Sequence, residues 1–131
     1  MKSRRDFPRI GAEDEFVVDF DTQDFGHVRA VGIGKDISDH GICFTAFAPL
    51  KKGAELDLTV RLQKKFPGPS QVGLRAKVVR VYPLKINRHF RIACRLMDEE
   101  DYAVEIEIIR QFIHWMRLQH NPFDGKDSKA A

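Results

Sequence analysis

Leu74-Arg75-Ala76-Lys77-Val78-Val79-Arg80-Val81-Tyr82 alternates apolar and polar side chains and then breaks step. Leu74, Ala76 and Val78 share one face, and after two adjacent valines Val79 and Val81 take their place. Successive side chains of a strand point to opposite faces, so a change of parity inside one strand signals a β-bulge or bend. Bends of that kind let a sheet curl and close into a barrel.

Working outward, the same period of two recurs. Leu56, Leu58, Val60 and Leu62 alternate with Asp57, Thr59, Arg61 and Gln63, the pattern of a half-buried strand. Phe16, Val18 and Phe20 point one way, against Val17, Asp19 and Asp21. Phe90, Ile92, Cys94 and Leu96 alternate with Arg91, Ala93, Arg95 and Met97. Two further strands are expected over about 28–37 and 42–47, joined by the tight polar turn Ser38-Asp39-His40-Gly41. Pro49 to Gly53 makes the next turn, and Lys64–Ser70 (KKFPGPS) a longer loop. Six short strands joined by turns predict an all-β fold, a small antiparallel barrel or sandwich.

The C-terminal part follows a different period. Asp98 to Asp101 suits a first helical turn, where carboxylates meet the positive end of the dipole, and Asn121-Pro122 is a stop signal, so a helix is expected over 99–119. Tyr102, Ile106, Ile109, Ile113 and Met116 form one stripe, with Ile108, Phe112 and Trp115 beside it. With Val104 the two stripes span an arc of about 200°, wider than the ~100° that covering one core requires. The first stripe is expected to cover the sheet. Ile108, Phe112 and Trp115 then lack obvious cover within the chain and are expected to form a homodimer contact or a partner-docking surface; the alternative is a helix lying deep in a groove, with the barrel and the Lys64–Ser70 loop covering both stripes. Residues 1–120 read as one domain, with 1–13 a mobile arm and 121–131 a disordered tail.

At 131 residues, 43% hydrophobic and 31% charged, the chain suits one soluble domain and neither disorder nor a collagen-like repeat. No apolar run approaches the ~18 residues of a spanning helix, and MKSRRDFPRI has no apolar stretch behind its basic residues. A cytoplasmic protein with no membrane insertion is expected. A net charge of +3 is too small a basic excess for a duplex-DNA binder.

Catalytic and metal motifs are absent. His27, His40, His89, His114 and His120 form no ligand pair, and there is neither HExxH, GxSxG nor CxxC. A binding protein without metal or catalysis is expected. Cys43 and Cys94 sit in apolar, strand-like stretches and read as reduced core residues. Gly32-Ile33-Gly34-Lys35 lacks the later glycine and the hydroxyl residue of a phosphate loop, and reads as glycines in a strand near a bend.

Two polar clusters carry the binding chemistry. Arg4, Arg5 and Arg9 precede the first strand, with Phe7 and Pro8 between them. Arginine's planar fork binds phosphate or the O6/N7 edge of guanine bidentately, and its flat face stacks on a base. In Asp36-Ile37-Ser38-Asp39-His40-Gly41, a carboxylate can accept from guanine N–H groups, a hydroxyl can donate to phosphate or cap the turn, and a glycine permits close approach. Taken alone, the second cluster also suits a plain hairpin turn.

Arg5-x-x-x-Arg9 followed by Asp36-x-Ser38-x-x-Gly41, then strands and a C-terminal helix, resembles the PilZ domain, a bacterial receptor module for cyclic di-GMP. The resemblance covers about Arg4 to Leu118. It implies a six-stranded antiparallel β-barrel with a helix, and ligand-binding roles for Arg5, Arg9, Asp36, Ser38 and Gly41. Arg4 matches a position that in relatives helps hold an intercalated pair of ligands, which implies two cyclic di-GMP molecules per chain. One departure lies in the last strand, where the family often has a glycine and then an aromatic; this chain has Ala93 and Leu96, a difference expected to touch packing more than ligand chemistry. The resemblance implies a switch: ligand orders the arm against the rim at 36–41, and the new surface signals to a protein partner. The rivals are a barrel that binds single-stranded nucleic acid and a ligand-blind PilZ-like adaptor. Against the first, Phe16, Phe20, Phe44 and Phe90 fall at core positions rather than on a basic face.

Overall fold

In the computed structural model, which describes residues 16–22, 28–47, 50–84 and 88–120, six strands precede one helix. They are β1 (Phe16–Thr22), β2 (Val28–Ile37), β3 (Gly41–Ala46), β4 (Glu55–Leu62), β5 (Gln71–Pro83) and β6 (Phe90–Leu96), with α1 over Ala103–His120. Every pairing is antiparallel, in the order β1-β2-β3-β6-β5-β4, and β1 pairs with β4 to close the barrel. Closure leaves no free sheet edge.

The alternation places the core as expected. Phe16, Val18 and Phe20 of β1, Leu56 to Leu62 of β4 at every second position, and Ile92, Cys94 and Leu96 of β6 are buried in one cluster. Phe90 is half-buried at its edge. The parity change in β5 is a register shift between Val78 and Arg80 against β6, as the adjacent valines predict. Gly32 and Gly34 face inward on β2. A methyl at Gly34 would lie 2.5 Å from the Phe16 ring, and one at Gly32 would strike Phe44. The barrel interior is thus filled by rings resting on bare backbone.

The helix begins later than expected. Asp98 has φ 53°, a left-handed conformation that Asp tolerates. Its carbonyl accepts from the amides of Asp101 (2.9 Å) and Tyr102 (3.1 Å). The acidic run is therefore a separate turn that redirects the chain from β6, and Glu105 is the carboxylate in the first turn of α1.

The expectation that Ile108, Phe112 and Trp115 lack cover within the chain is corrected. Phe112 is 0% exposed, and Ile108 and Trp115 are half-buried against the core. The cover comes from Phe66, in the loop between β4 and β5. Its ring meets Phe112 edge-on at 5.3 Å and Trp115 at 5.7 Å. Phe16 meets Phe112 from the barrel at 6.5 Å. Ile106, Ile109, Ile113 and Met116 are buried on the barrel as expected, while Val104 is exposed. No helix among the described residues is long and apolar enough to cross a membrane. The arm with Arg4, Arg5 and Arg9, and the tail 121–131, lie outside the described residues.

Candidate functional site

The site is built on the turn from β2 to β3. The Ser38 amide donates to the Gly41 carbonyl at 2.9 Å. Ser38 Oγ accepts from the amides of His40 (3.2 Å) and Gly41 (3.1 Å). The hydroxyl thus closes the turn from inside, as Ser does wherever it competes for local backbone donors. A Cβ at Gly41 would lie 2.8 Å from the Cys94 carbonyl oxygen of the paired strand. Glycine is required there by the close approach of β6. Ser38→Ala leaves two amides without their acceptor, and we expect a loss of about 1 kcal/mol in stability, read by urea denaturation.

Two bulges turn the remaining site residues outward. On β2, Gly32 and Gly34 face in, the register against β3 shifts between Gly34 and Asp36, and Ile37 is the next buried side chain. Without the shift Asp36 would point into the core. On β5 the shift after Val78 half-buries Val81 and leaves Tyr82 exposed. Register then aligns the strands side by side: Asp36 opposite Cys43, Cys43 opposite Ala93, and Tyr82 opposite Arg91.

These residues line a cleft of about 600 Å³ across β2, β3, β6 and β5, together with Ser38, Gly41, Ile42 and Cys94. That volume falls within the ~300–1,000 Å³ typical of small-molecule sites. Arg91 Nε is buried and has no hydrogen-bond partner among the described residues, an unspent donor in a cleft wall. Arg80 Nη1 donates to the Tyr82 hydroxyl at 2.9 Å, steadying that ring at the rim.

The three residues of the second cluster, Asp36, Ser38 and Gly41, are thus brought to one cleft. Arg91, Tyr82, Cys43 and Ala93 were not singled out from the sequence as site residues. Cys43 is corrected from core to cleft lining, since it points away from the buried Ile42 and Phe44. Ala93, expected to matter for packing, also lines the cleft. Alternation against Ile92 and Cys94 marks Arg91 and Ala93 as outward-facing, but gives no hint that Tyr82 joins them, because that depends on the bulge. Among the described residues no group of three or more His, Cys, Asp and Glu side chains could hold a metal ion.

Burial, with a smaller push from Cys43, raises the Cys94 thiol to about 12. A thiol of the unfolded chain ionises near 9, so the folded state binds the extra proton between the two values. Stability from this group is complete below about pH 9 and falls above it by about 1.4 kcal/mol per pH unit. Urea midpoints measured from pH 8 to 11 should therefore drop more steeply for the wild type than for Cys94→Ala.

Compared by sequence with curated proteins, the chain matches none. Among solved structures it is similar to apo MrkH of K. pneumonia, with 17% identity and a TM-score of 0.63 over 91% of this chain and 55% of that one. It is similar to the motility inhibitor MotI/DgrA of Bacillus subtilis, with 17% identity and a TM-score of 0.58 over 84% of this chain and 51% of that one. It is also similar to the PilZ domain of YcgR from Escherichia coli, solved with c-di-GMP, with 15% identity and a TM-score of 0.60 over 89% of this chain and 97% of that domain. The chain spans about half the length of MrkH and MotI. At these identities the likeness establishes the fold. The family model of the PilZ domain matches residues 3–114, and on that match the chain belongs to the PilZ domain family.

Proposed function

We propose that this protein is a receptor for cyclic di-GMP. The observation that carries the reading is the single cleft where Asp36, Ser38 and Gly41 meet an arginine with an unbonded Nε and a rim tyrosine. Cyclic di-GMP presents two phosphates and two guanines. A carboxylate suits the guanine N–H edge, a guanidinium suits phosphate or guanine O6/N7, and an aromatic face suits a base. Structures that this chain resembles include c-di-GMP complexes of MrkH and of the YcgR PilZ domain.

In this reading Arg5 and Arg9 clamp the ligand from the arm while Asp36 and Ser38 hold it from the rim. Ordering of the arm over the cleft makes a new surface for a protein partner. The protein's part is recognition, and no bond is made or broken. Titration calorimetry of the intact protein with cyclic di-GMP tests this, with cyclic di-AMP and single-stranded RNA as controls. Heat with cyclic di-GMP alone supports the reading. Silence at high micromolar ligand, or heat with the RNA alone, overturns it.

Arg4 adds a third fork within six residues, more than one ligand needs at a single rim. We expect two cyclic di-GMP molecules per chain, stacked through their guanines, and one per chain in Arg4→Leu. A ratio of one in both proteins would show Arg4 to be solvated charge.

A further inference from the structure

The two residues between Ser38 and Gly41 are tied to α1 and to the turn that precedes it. Asp39 Oδ2 accepts from Arg110 Nε of α1 at 3.1 Å, and Arg110 Nη1 donates to Glu107 at 3.2 Å. His40 lies 3.7 Å from the Asp39 carboxylate and 3.5 Å from Glu99, in the turn before α1. Its carbonyl accepts from the Leu96 amide at 2.9 Å. Ser38 lines the large cleft in front. It also lines a hollow of about 220 Å³ behind, whose other walls include Asp39, Arg110, His114 and Arg117. The turn therefore stands between the cleft and α1, and it cannot move toward a ligand without moving the Asp39 carboxylate against Arg110. Burial pushes that carboxyl up, but the Arg110 hydrogen bond, with the charges of His40 and Arg110, more than offsets it and holds the group below its ordinary value.

We infer that Asp39 and Arg110 are positioning residues for the cyclic di-GMP cleft: their ion pair holds the Ser38–Gly41 turn in its binding geometry and links the cleft to α1. This rests on the cyclic di-GMP reading above. Both side chains are partly exposed, so the pair is worth only a modest factor. The coupling runs both ways, because a ligand that favours the set turn must also favour the ion pair, and so steady α1, by the same factor.

A double-mutant cycle on the full chain tests the inference with two readouts. Asp39→Asn, Arg110→Gln and the double variant are compared by cyclic di-GMP titration, with Arg110→Lys as the charge-keeping control. Amide exchange at His40 and Gly41, whose N–H groups bond to Ser38 Oγ, is followed without ligand. Each single variant is expected to weaken binding about two- to five-fold and to speed exchange at both amides. The double variant should be no worse than either single one, and Arg110→Lys should stay within two-fold of wild type. Wild-type exchange and affinity in both single variants, or additive losses in the double variant, overturn the inference. If the wild type binds no cyclic di-GMP while the exchange pattern still follows the cycle, the ligand reading fails and the positioning of the turn stands.

Discussion

Replacing Phe112 and Trp115 by serine is expected to unfold this protein rather than to free a docking surface. Phe112 is completely buried, with Phe16, Phe66 and Trp115 around it at ring separations of 6.5, 5.3 and 6.0 Å. Truncating a core phenylalanine costs about 3–5 kcal/mol through lost transfer energy and the cavity left behind. The two edge-on contacts add about 0.5–1.5 kcal/mol each, and a serine hydroxyl there adds an unpaired polar group. Against a total stability of about 5–15 kcal/mol, that sum removes most or all of the fold. Trp115→Ala alone should cost less, because its side chain is only partly buried. Thermal melts by circular dichroism measure both. Trp115, the single tryptophan, stacks in this cluster, so its fluorescence reports the same event in the wild type. A double variant that keeps its melting temperature and loses only self-association would reinstate the interface expectation.

Arg9→Ala is expected to weaken cyclic di-GMP binding by roughly 1.5–3 kcal/mol, the scale of a hydrogen bond to a charged group. That corresponds to about 10- to 150-fold in Kd at 25 °C. Arg5→Ala should fall in the same range, since either arginine can present a bidentate fork to phosphate or guanine. Neither position belongs to the alternating strands or the helical stripes that build the core, so the melting temperature of each variant should stay within a degree or two of wild type. Calorimetry beside a thermal melt makes the comparison. An Arg9→Ala protein that binds as tightly as wild type would remove the arm from the ligand and leave the cleft lined by Asp36, Ser38 and Arg91 as the whole site. Set beside Phe112, the arginines illustrate a division of labour. On the proposed reading the helix stripes maintain the fold and the arm serves binding, so substitutions in one should leave the readout of the other intact.

Local patterning carried much of this molecule. Period-two alternation marks the strands and their inward faces, because a strand's faces are determined residue by residue along the chain. The two adjacent valines announce the β5 bulge for the same reason: a parity change is visible wherever both halves of a strand are apolar on one side. The β2 bulge hides, since Gly34, Lys35 and Asp36 offer no apolar partners to show the change. The motifs Arg5/Arg9 and Asp36/Ser38/Gly41 are legible as short patterns, and the turn at Ser38 closes through bonds within four residues. Contacts between distant parts of the chain are another matter. Phe66 reaches Phe112 across 46 positions; the Lys64–Ser70 loop is legible as an alternative cover for the helix, but a loop residue among prolines and glycines shows no periodicity that could decide between that and an open face. The β5 bulge brings Tyr82 out beside Arg91, and the barrel order sets Cys43 and Ala93 next to them. Asp39 finds Arg110 over 71 positions. Strand and turn propensities are local energies, read along the chain. Cover for a ring and the membership of a cleft are set by which strands pair and in what register, and those were decided when the barrel closed.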